Sequence, residues 1–143
     1  MFDTTKNFLK ELSMYNIQSP SPDTPSNRIL ILSKDIDLGQ VIENDLKRLG
    51  LQVNVDSELN LGQELSKPLP YDGIILDLDI NETSRLDVFH DLYAMNPQIP
   101  IVVVGTENMH YDFLSALMGG ARDFLVKPVD SVRLKRICLR LFL

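Results

Sequence analysis

Short apolar runs recur along the chain, and between them apolar residues repeat every three or four positions. The runs cover residues 29–32, 74–76, 101–104 and 124–126, and Val53 and Val55 form a weaker example in which apolar and polar residues alternate. A short continuous apolar run is typical of a strand that is buried on both faces. The pattern therefore predicts five strands.

A helical segment follows each predicted strand. The apolar positions at helical spacing are Leu38, Val41, Ile42, Leu46 and Leu49; Leu59, Leu61 and Leu65; Leu86, Phe89, Leu92 and Tyr93; Phe113, Leu114, Leu117 and Met118; and Val132, Leu134, Ile137, Cys138 and Leu141. Strands that alternate with helices at this spacing form βαβ units. We therefore predict an α/β fold, a doubly wound parallel sheet with helices on both faces in three layers.

The first 27 residues differ from the rest of the chain. Residues 5–15 carry apolar side chains on one face of a short predicted helix, and residues 18–27 contain three prolines among serines. A Pro/Ser-rich stretch of this kind is an extended linker. We predict an N-terminal extension over 1–27 and one folded domain over 28–143. Three helical turns are not stable alone in water, so the helix either docks or is disordered.

Composition narrows the class of protein. The 143 residues are 44% hydrophobic, which is enough for a real core, and they contain no apolar run long enough to span a membrane. The N-terminus lacks the pattern of a signal peptide, and the one cysteine, Cys138, excludes an internal disulfide. We expect a cytoplasmic protein with no membrane partner, in which Cys138 is a small buried residue.

Charge is unevenly distributed. The net charge is −6, which argues against direct nucleic-acid binding. Residues 122–143 carry six basic and two acidic side chains, a net charge of +4, which leaves −10 for the rest of the chain. A basic last helix is usually a solvated face, and here it is also a candidate protein-contact surface.

Several kinds of site are absent from the sequence. Residues 33–37, after the first strand, contain no glycine, so neither a dinucleotide fingerprint nor a phosphate-binding loop is present. There is no Gly-x-Ser-x-Gly elbow, and His90 and His110 lie in different helices without a cysteine partner. A flavin or nucleotide in the pocket stays a weaker possibility because the fold type allows one.

Polar side chains instead collect where the predicted strands end. They are Ser33, Lys34 and Asp35 after the first strand, Asp77 and Asp79 at the third, Gly105 and Thr106 at the fourth, and Lys127 at the fifth. In an open parallel sheet the carboxyl ends of the strands form the functional edge. These residues are therefore the candidate site.

From residue 28 to 143 the chain resembles a response-regulator receiver (CheY-like) domain. The resemblance rests on Asp77 closing the third strand, on Gly105 and Thr106 closing the fourth, and on the segment 120–128, which reads Gly-Ala-Arg-Asp-Phe-Leu-Val-Lys-Pro. It implies a flavodoxin-like sheet of order 2-1-3-4-5. It also implies that Asp77 occupies the phospho-acceptor position.

In competent members of that family the aspartate takes a phosphoryl group from a sensor kinase. Two acids after the first strand bind Mg²⁺, and the metal and a lysine, here at Lys127, neutralise the phosphoryl oxygens. A hydroxyl at the end of the fourth strand then contacts the phosphate. The rotamer of an aromatic side chain, here at Phe124, changes with the position of that hydroxyl.

This chain departs from the family pattern at three places. The metal-binding acids align with Ser33 and Lys34, and Mg²⁺ requires oxygen ligands. We expect the ammonium of Lys34 to pair with Asp77 in place of a metal, and Asp35 to substitute only if the loop shifts by one residue. The switch hydroxyl aligns with Gly105 unless Thr106 replaces it. The family's Pro and Gly after the acceptor align with Asn81 and Arg85.

Two further expectations concern the fifth strand. With Gly105 opposite, there is room for an inward ring of Phe124 but no hydroxyl to attract it, so we expect one preferred state. The bond between Lys127 and Pro128 is a candidate cis peptide.

The resemblance and the departures together indicate an atypical (degenerate) receiver, or pseudo-receiver. We expect a non-enzymatic signal-transduction module that binds a protein partner or itself without phosphorylation and without a metal or other cofactor. The candidate surface is the fourth helix, fifth strand and fifth helix, with Tyr111, Arg122, Asp123, Arg133 and Arg136. The alternative is a working phospho-acceptor in a two-component phosphorelay, in which Asp77 is phosphorylated with Mg²⁺ by a sensor kinase.

Overall fold

The structure is a computed structural model, and it describes residues 27–57, 70–80 and 85–143. The strands are β1 (Arg28–Leu32), β2 (Gln52–Asp56), β3 (Gly73–Asp77), β4 (Ile101–Gly105) and β5 (Asp123–Val126). The helices are α1 (Ile36–Arg48), α2 (Arg85–Met95), α3 (His110–Gly119) and α4 (Ser131–Leu141), and a short 3₁₀ turn covers Leu78–Ile80. The predicted N-terminal helix, the linker before residue 27 and the predicted helix around Leu59–Leu65 lie outside the described residues.

The five strands form one parallel sheet of order β2-β1-β3-β4-β5. The central strands are in register, with Leu32 beside Leu76 and Asp77 beside Val104. The predicted doubly wound α/β fold and its strand order are confirmed. Because every strand runs in the same direction, the carboxyl ends of β1, β3, β4 and β5 lie along one edge of the sheet.

Burial on both faces of the sheet explains the continuous apolar runs. Alternate residues of a strand point to opposite faces. Leu30 and Leu32 belong to a core that packs against α2 and α3, whereas Ile29 and Ile31 belong to a core with α1 and α4. The central strands β3 and β4 are buried at every position. β2 and β5 are the outer strands and are more exposed.

The buried face of α3 differs from the predicted one. Phe113 and Ala116 are buried, whereas Leu114 is 46% exposed and Met118 is 88% exposed. The prediction grouped four apolar residues without knowing which side meets the sheet. Phe113 packs beside Gly105 of β4 and Phe124 of β5, and this rotation of α3 turns Leu114 and Met118 toward solvent.

Local signals explain the ends of the helices. The carboxylate of Asp35 accepts a hydrogen bond from the backbone N–H of Leu38 and caps the start of α1. Gly50 follows α1 with φ of 85°, a conformation that glycine adopts easily. The bond between Lys127 and Pro128 is cis, as predicted. Cys138 is fully buried, and in the described ranges no helix has both the length and the apolar character needed to cross a bilayer.

Candidate functional site

Four charged side chains meet at the carboxyl edge of the sheet. They are the carboxylates of Asp35, Asp77 and Asp79 and the ammonium of Lys127, and we call this cluster the acidic pocket. The Lys127 Nζ lies 2.9 Å from Asp77 Oδ2, 3.5 Å from Asp79 Oδ2 and 3.8 Å from Asp35 Oδ2. The edge therefore brings together residues from the ends of β1, β3 and β5, as the strand-end pattern predicts.

Asp77 is the buried centre of the acidic pocket. Its side chain is only 2% exposed. Its Oδ2 accepts hydrogen bonds from Ser33 Oγ at 2.8 Å and from Lys127 Nζ at 2.9 Å, and its Oδ1 accepts one from the backbone N–H of Asp79 at 3.1 Å. Both carboxylate oxygens therefore have partners, which a buried charge requires.

Lys127 is held in its charged form by its surroundings. Burial alone would lower the pKa of the Lys127 ammonium. The hydrogen bond to Asp77 and the negative charges of Asp77, Asp79 and Asp35 outweigh burial and raise this pKa above its ordinary value of 10.5. The ammonium therefore stays charged and acts as the counter-ion of three carboxylates.

The loop after β1 differs from the prediction. The side chain of Lys34 is exposed, and no carboxylate of the described residues forms an ion pair with it, so the expected pairing of Lys34 with Asp77 is not formed. Ser33 is buried and makes the contact with Asp77 instead. Successive side chains of an extended segment point to opposite sides, so Ser33 points into the pocket and Lys34 points toward solvent. Asp35 already lies at the edge of the pocket, with its second carboxylate oxygen 3.8 Å from Lys127 Nζ, and no shift of the loop is needed to bring it there.

The donors of the acidic pocket do not fit a magnesium ion. Mg²⁺ needs several oxygen ligands in near-octahedral geometry. The ammonium of Lys127 lies between the three carboxylates, and one oxygen of Asp35 already caps α1. In the part of the chain that the structure describes, no group of three acidic, histidine or cysteine side chains is arranged to hold a metal. The pocket therefore holds an ion-pair network of one ammonium and three carboxylates.

The switch position at the end of β4 is filled by apolar atoms. A Cβ added to Gly105 would lie 2.7 Å from the sulfur of Met109 and 3.1 Å from Cζ of Phe113. The ring of Phe113 stacks on that of Phe124, with centroids 4.8 Å apart. The predicted room for an inward ring beside Gly105 is therefore absent, because Met109 and Phe113 occupy it. Phe124 is half-buried and packs against Phe113 from the side away from Gly105.

Thr106 does not replace the missing hydroxyl. Its Oγ1 is hydrogen-bonded to the side-chain oxygen of Asn108, in the turn before α3. Met109, which fills the switch space, was not identified from the sequence. Its spacing of four residues from both Gly105 and Phe113 is the only signal that could have indicated it.

Arg85 links the acidic pocket to α3. Its guanidinium lies 3.9 Å from a carboxylate oxygen of Asp79 and 3.4 Å from one of Asp112. This residue stands where the family pattern has a glycine, and Asn81, where the pattern has a proline, lies outside the described residues. The departure at Arg85 is visible in the sequence, but its contacts are not, because Asp79 and Asp112 are far apart along the chain.

The predicted partner surface lies on α3, β5 and α4. Tyr111 is 81% exposed, and Arg122 and Arg136 are exposed. Asp123 and Arg133 are not free, because Arg133 Nη2 lies 3.1 Å from Asp123 Oδ1. Arg140, which the sequence analysis did not single out, lies 2.6 Å from the other oxygen of Asp123.

A parallel sheet of this order, with an aspartate at the end of its third strand and a lysine at the end of its fifth, defines a receiver-type signalling domain. The family model of the response regulator receiver domain matches residues 29–138. The chain belongs to this family, whose members act in two-component signalling and interact with kinases and other proteins.

Two relatives show how far the similarity extends. The response regulator protein PilR of Pseudomonas aeruginosa is 28% identical over 110 residues, which are 77% of this chain and 25% of PilR. The cell cycle transcriptional regulator CtrA of Caulobacter vibrioides is 31% identical over 101 residues, 71% of this chain and 44% of CtrA. The chain therefore spans a quarter to less than half of the length of these curated relatives.

Solved structures share the fold at low sequence identity. The receiver domain of NtrX from Brucella abortus superposes with a TM-score of 0.68 at 20% identity, covering 79% of this chain and 96% of that one. A putative pilus assembly-related protein from Burkholderia pseudomallei gives a TM-score of 0.69 at 20% identity, covering 80% and 88%. These likenesses establish the fold.

Proposed function

We propose that this domain is an atypical receiver that acts as a protein-interaction module without phosphorylation, has no enzymatic activity and works in the cytoplasm. The observation that carries the proposal is the occupied carboxylate of Asp77. Ser33 donates a hydrogen bond to the same oxygen that binds Lys127, where the family pattern has a metal-binding acid. Two donors, one of them charged, engage the lone pairs of this oxygen and lower its nucleophilicity.

The filled switch position supports the same proposal. In the family pattern a hydroxyl at the end of β4 reports the phosphoryl group to the aromatic residue of β5. Here Met109 and Phe113 pack against Gly105, and Phe113 stacks directly on Phe124. The position of Phe124 is therefore set by apolar packing and does not depend on the state of Asp77. A domain that is held in one state presents a constant surface to its partner.

One observation favours a working phospho-acceptor as a second candidate. Asp35 Oδ2 lies 3.8 Å from Lys127 Nζ, so a carboxylate from the loop after β1 does face the acidic pocket. If Lys127 moved toward an incoming phosphoryl group, Asp35, Asp77 and Asp79 would be the available cation ligands. The phosphoryl donor would then be a sensor kinase.

A phosphorylation assay separates the two candidates. The protein is incubated with Mg²⁺ and acetyl phosphate, or with Mg²⁺ and beryllofluoride, and followed by intact mass and by amide NMR. We expect neither a phosphoryl adduct nor shifts around Asp77. A stoichiometric adduct that is lost in Asp77→Asn would refute the proposed function and establish the second candidate.

A double substitution provides the positive control. Changing Ser33→Asp together with Lys34→Asp restores two acids at the family's metal-binding positions. We expect this variant to bind Mg²⁺ in a calorimetric titration and the unaltered protein to bind none. Comparable Mg²⁺ affinity in both proteins would contradict the proposed function.

A further inference from the structure

The outer edge of β5 is closed by side chains. β5 is the last strand of the sheet, so one side of it has no neighbouring strand. The backbone N–H of Phe124 donates to Asp123 Oδ1 at 2.7 Å, and the carbonyl of Phe124 accepts from Arg133 Nη2 at 2.9 Å. An open strand edge would offer these two groups to an added strand. Here one carboxylate and one guanidinium occupy them.

The carboxylate of Asp123 also holds two arginines of α4. Its Oδ1 lies 3.1 Å from Arg133 Nη2, and its Oδ2 lies 2.6 Å from Arg140 Nη2. Arg133 and Arg140 are 47% and 61% exposed. Ion pairs with exposed partners are weak and exchange with other charged groups in solution. Asp123 therefore occupies a pair of arginines at which a carboxylate from another molecule can compete with it.

A groove of about 470 Å³ runs beside this edge. Arg133, Arg136 and Arg140 line it at helical spacing, and Val132 and Ile137 supply apolar surface. Arg136 is exposed and forms no ion pair with a carboxylate of the described residues. Asp123 and Asp130 offset two of the three positive charges, so the groove keeps a positive charge next to the exposed side chain of Val132.

We infer that the β5 edge and this arginine groove bind an extended acidic segment of a partner protein. Carboxylates of the segment replace Asp123 on Arg133 and Arg140 and pair with the exposed Arg136. Release of Asp123 and Arg133 then exposes the N–H and the carbonyl of Phe124, and the backbone of the segment pairs with them as an added strand. The inference rests on the proposed function, because both assign this surface to a protein partner. It adds that the partner segment is acidic and that it binds as an extra strand.

The test uses a fluorescein-labelled peptide of alternating glutamate and valine, with alternating lysine and valine as its control. Binding is measured by fluorescence anisotropy, and the contact residues are mapped by amide NMR. We expect the glutamate peptide to bind, the lysine peptide not to bind, and the amide signal of Phe124 to shift. Equal binding of both peptides, or shifts confined to other strands, would overturn the inference.

Charge variants test the role of Asp123. Asp123→Asn removes the competing charge, and we expect it to tighten binding of the glutamate peptide about five- to tenfold. Arg136→Gln removes a binding charge, and we expect it to weaken binding about tenfold. Arg28→Gln is the matched control and leaves the affinity unchanged, because Arg28 is an exposed arginine of β1 that bonds Gln52 of β2, at the opposite side of the sheet from β5. An unchanged affinity in Asp123→Asn contradicts the exchange of carboxylates.

Three outcomes separate this inference from its alternatives and from the proposed function. Stronger binding of a single-stranded oligothymidine than of the glutamate peptide would overturn it in favour of a phosphate backbone. Failure of the peptide to bind, without a phosphoryl adduct on Asp77, would refute the docking site and leave the proposed function standing. Peptide binding together with an Asp77 adduct would refute the proposed function and leave the docking site standing.

Discussion

The sulfur of Met109 lies 2.7 Å from the point that a Cβ on Gly105 would occupy. No side chain fits at position 105 without moving Met109, which is 3% exposed and packed in the core. The hydroxyl that receivers carry at this position is therefore replaced by a methionine from the start of α3. The end of β4 is part of the apolar core in this protein.

Gly105→Thr tests this packing. The added side chain must displace Met109 and the ring of Phe113, and overpacking of a core costs roughly 1–3 kcal/mol. We expect a loss of that size in the free energy of unfolding, measured by urea denaturation. Gly105→Thr combined with Met109→Ala should recover part of the loss, because the smaller side chain makes room. A stable Gly105→Thr single variant would contradict the contact.

Removing Lys127 tests the ion-pair network of the acidic pocket. Among the described residues, Lys127→Met leaves Ser33 and one backbone N–H as the partners of the buried Asp77 charge. Breaking a buried pair in this way costs about 3 kcal/mol. We expect Lys127→Met to lower the free energy of unfolding by about that amount. In Lys127→Met with Asp77→Asn the loss should be smaller than the sum of the two single losses. Strict additivity would show that the two side chains do not interact.

Stability should fall at alkaline pH for two separate reasons. The pKa of Lys127 is raised above 10.5 in the folded protein, so its contribution is complete below pH 10.5 and is lost as pH rises through the folded pKa. Burial, and then the charge of Asp45, raise the pKa of the Cys138 thiol from 9.0 to about 12, so the unfolded chain ionises first and stability falls between these values.

Two variants resolve these contributions in urea denaturation at a series of pH values. Cys138→Ala should abolish the decrease in the free energy of unfolding between pH 9.0 and 10.5, which is at most about 1.4 kcal/mol for each pH unit. Lys127→Met should reduce the further decrease above pH 10.5. A Cys138→Ala profile that matches the wild type between pH 9.0 and 10.5 would contradict the raised thiol pKa.

The charge of Asp45 should contribute, after burial, to the raised pKa of the Cys138 thiol. Asp45 is a buried acid of α1 that accepts a hydrogen bond from Ser131 Oγ at 2.7 Å, and its charge adds to the effect of burial on the thiol. Asp45→Asn keeps the shape and removes the charge, so we expect the pKa of Cys138 to fall below about 12. The thiolate absorbance during alkaline titration measures this change. Asp37→Asn, an exposed acid of the same helix, should have no effect.

The sequence was sufficient to predict the layout of the fold. Continuous apolar runs such as residues 101–104 identify strands that are buried on both faces, and their alternation with helical segments leaves few possible connections. The positions of Asp77 and Lys127 at the strand ends follow from the same pattern. These features depend on local periodicity, which the sequence displays directly.

The contacts at the site depended on the tertiary structure. Whether Ser33 or Lys34 reaches Asp77 depends on the residue at which β1 turns away from the sheet, and the composition of the loop does not specify that residue. Which of Phe113, Leu114 and Met118 meets the core depends on the rotation of α3 about its axis.

The closure of the β5 edge likewise joins Asp123 to Arg133 and Arg140, which lie 10 and 17 residues further along the chain. The sequence by itself determined the class of fold and the residues at its functional edge. The tertiary structure decided which of those residues touch, because side-chain contacts are set by how neighbouring elements pack, and packing joins residues that sequence spacing does not relate.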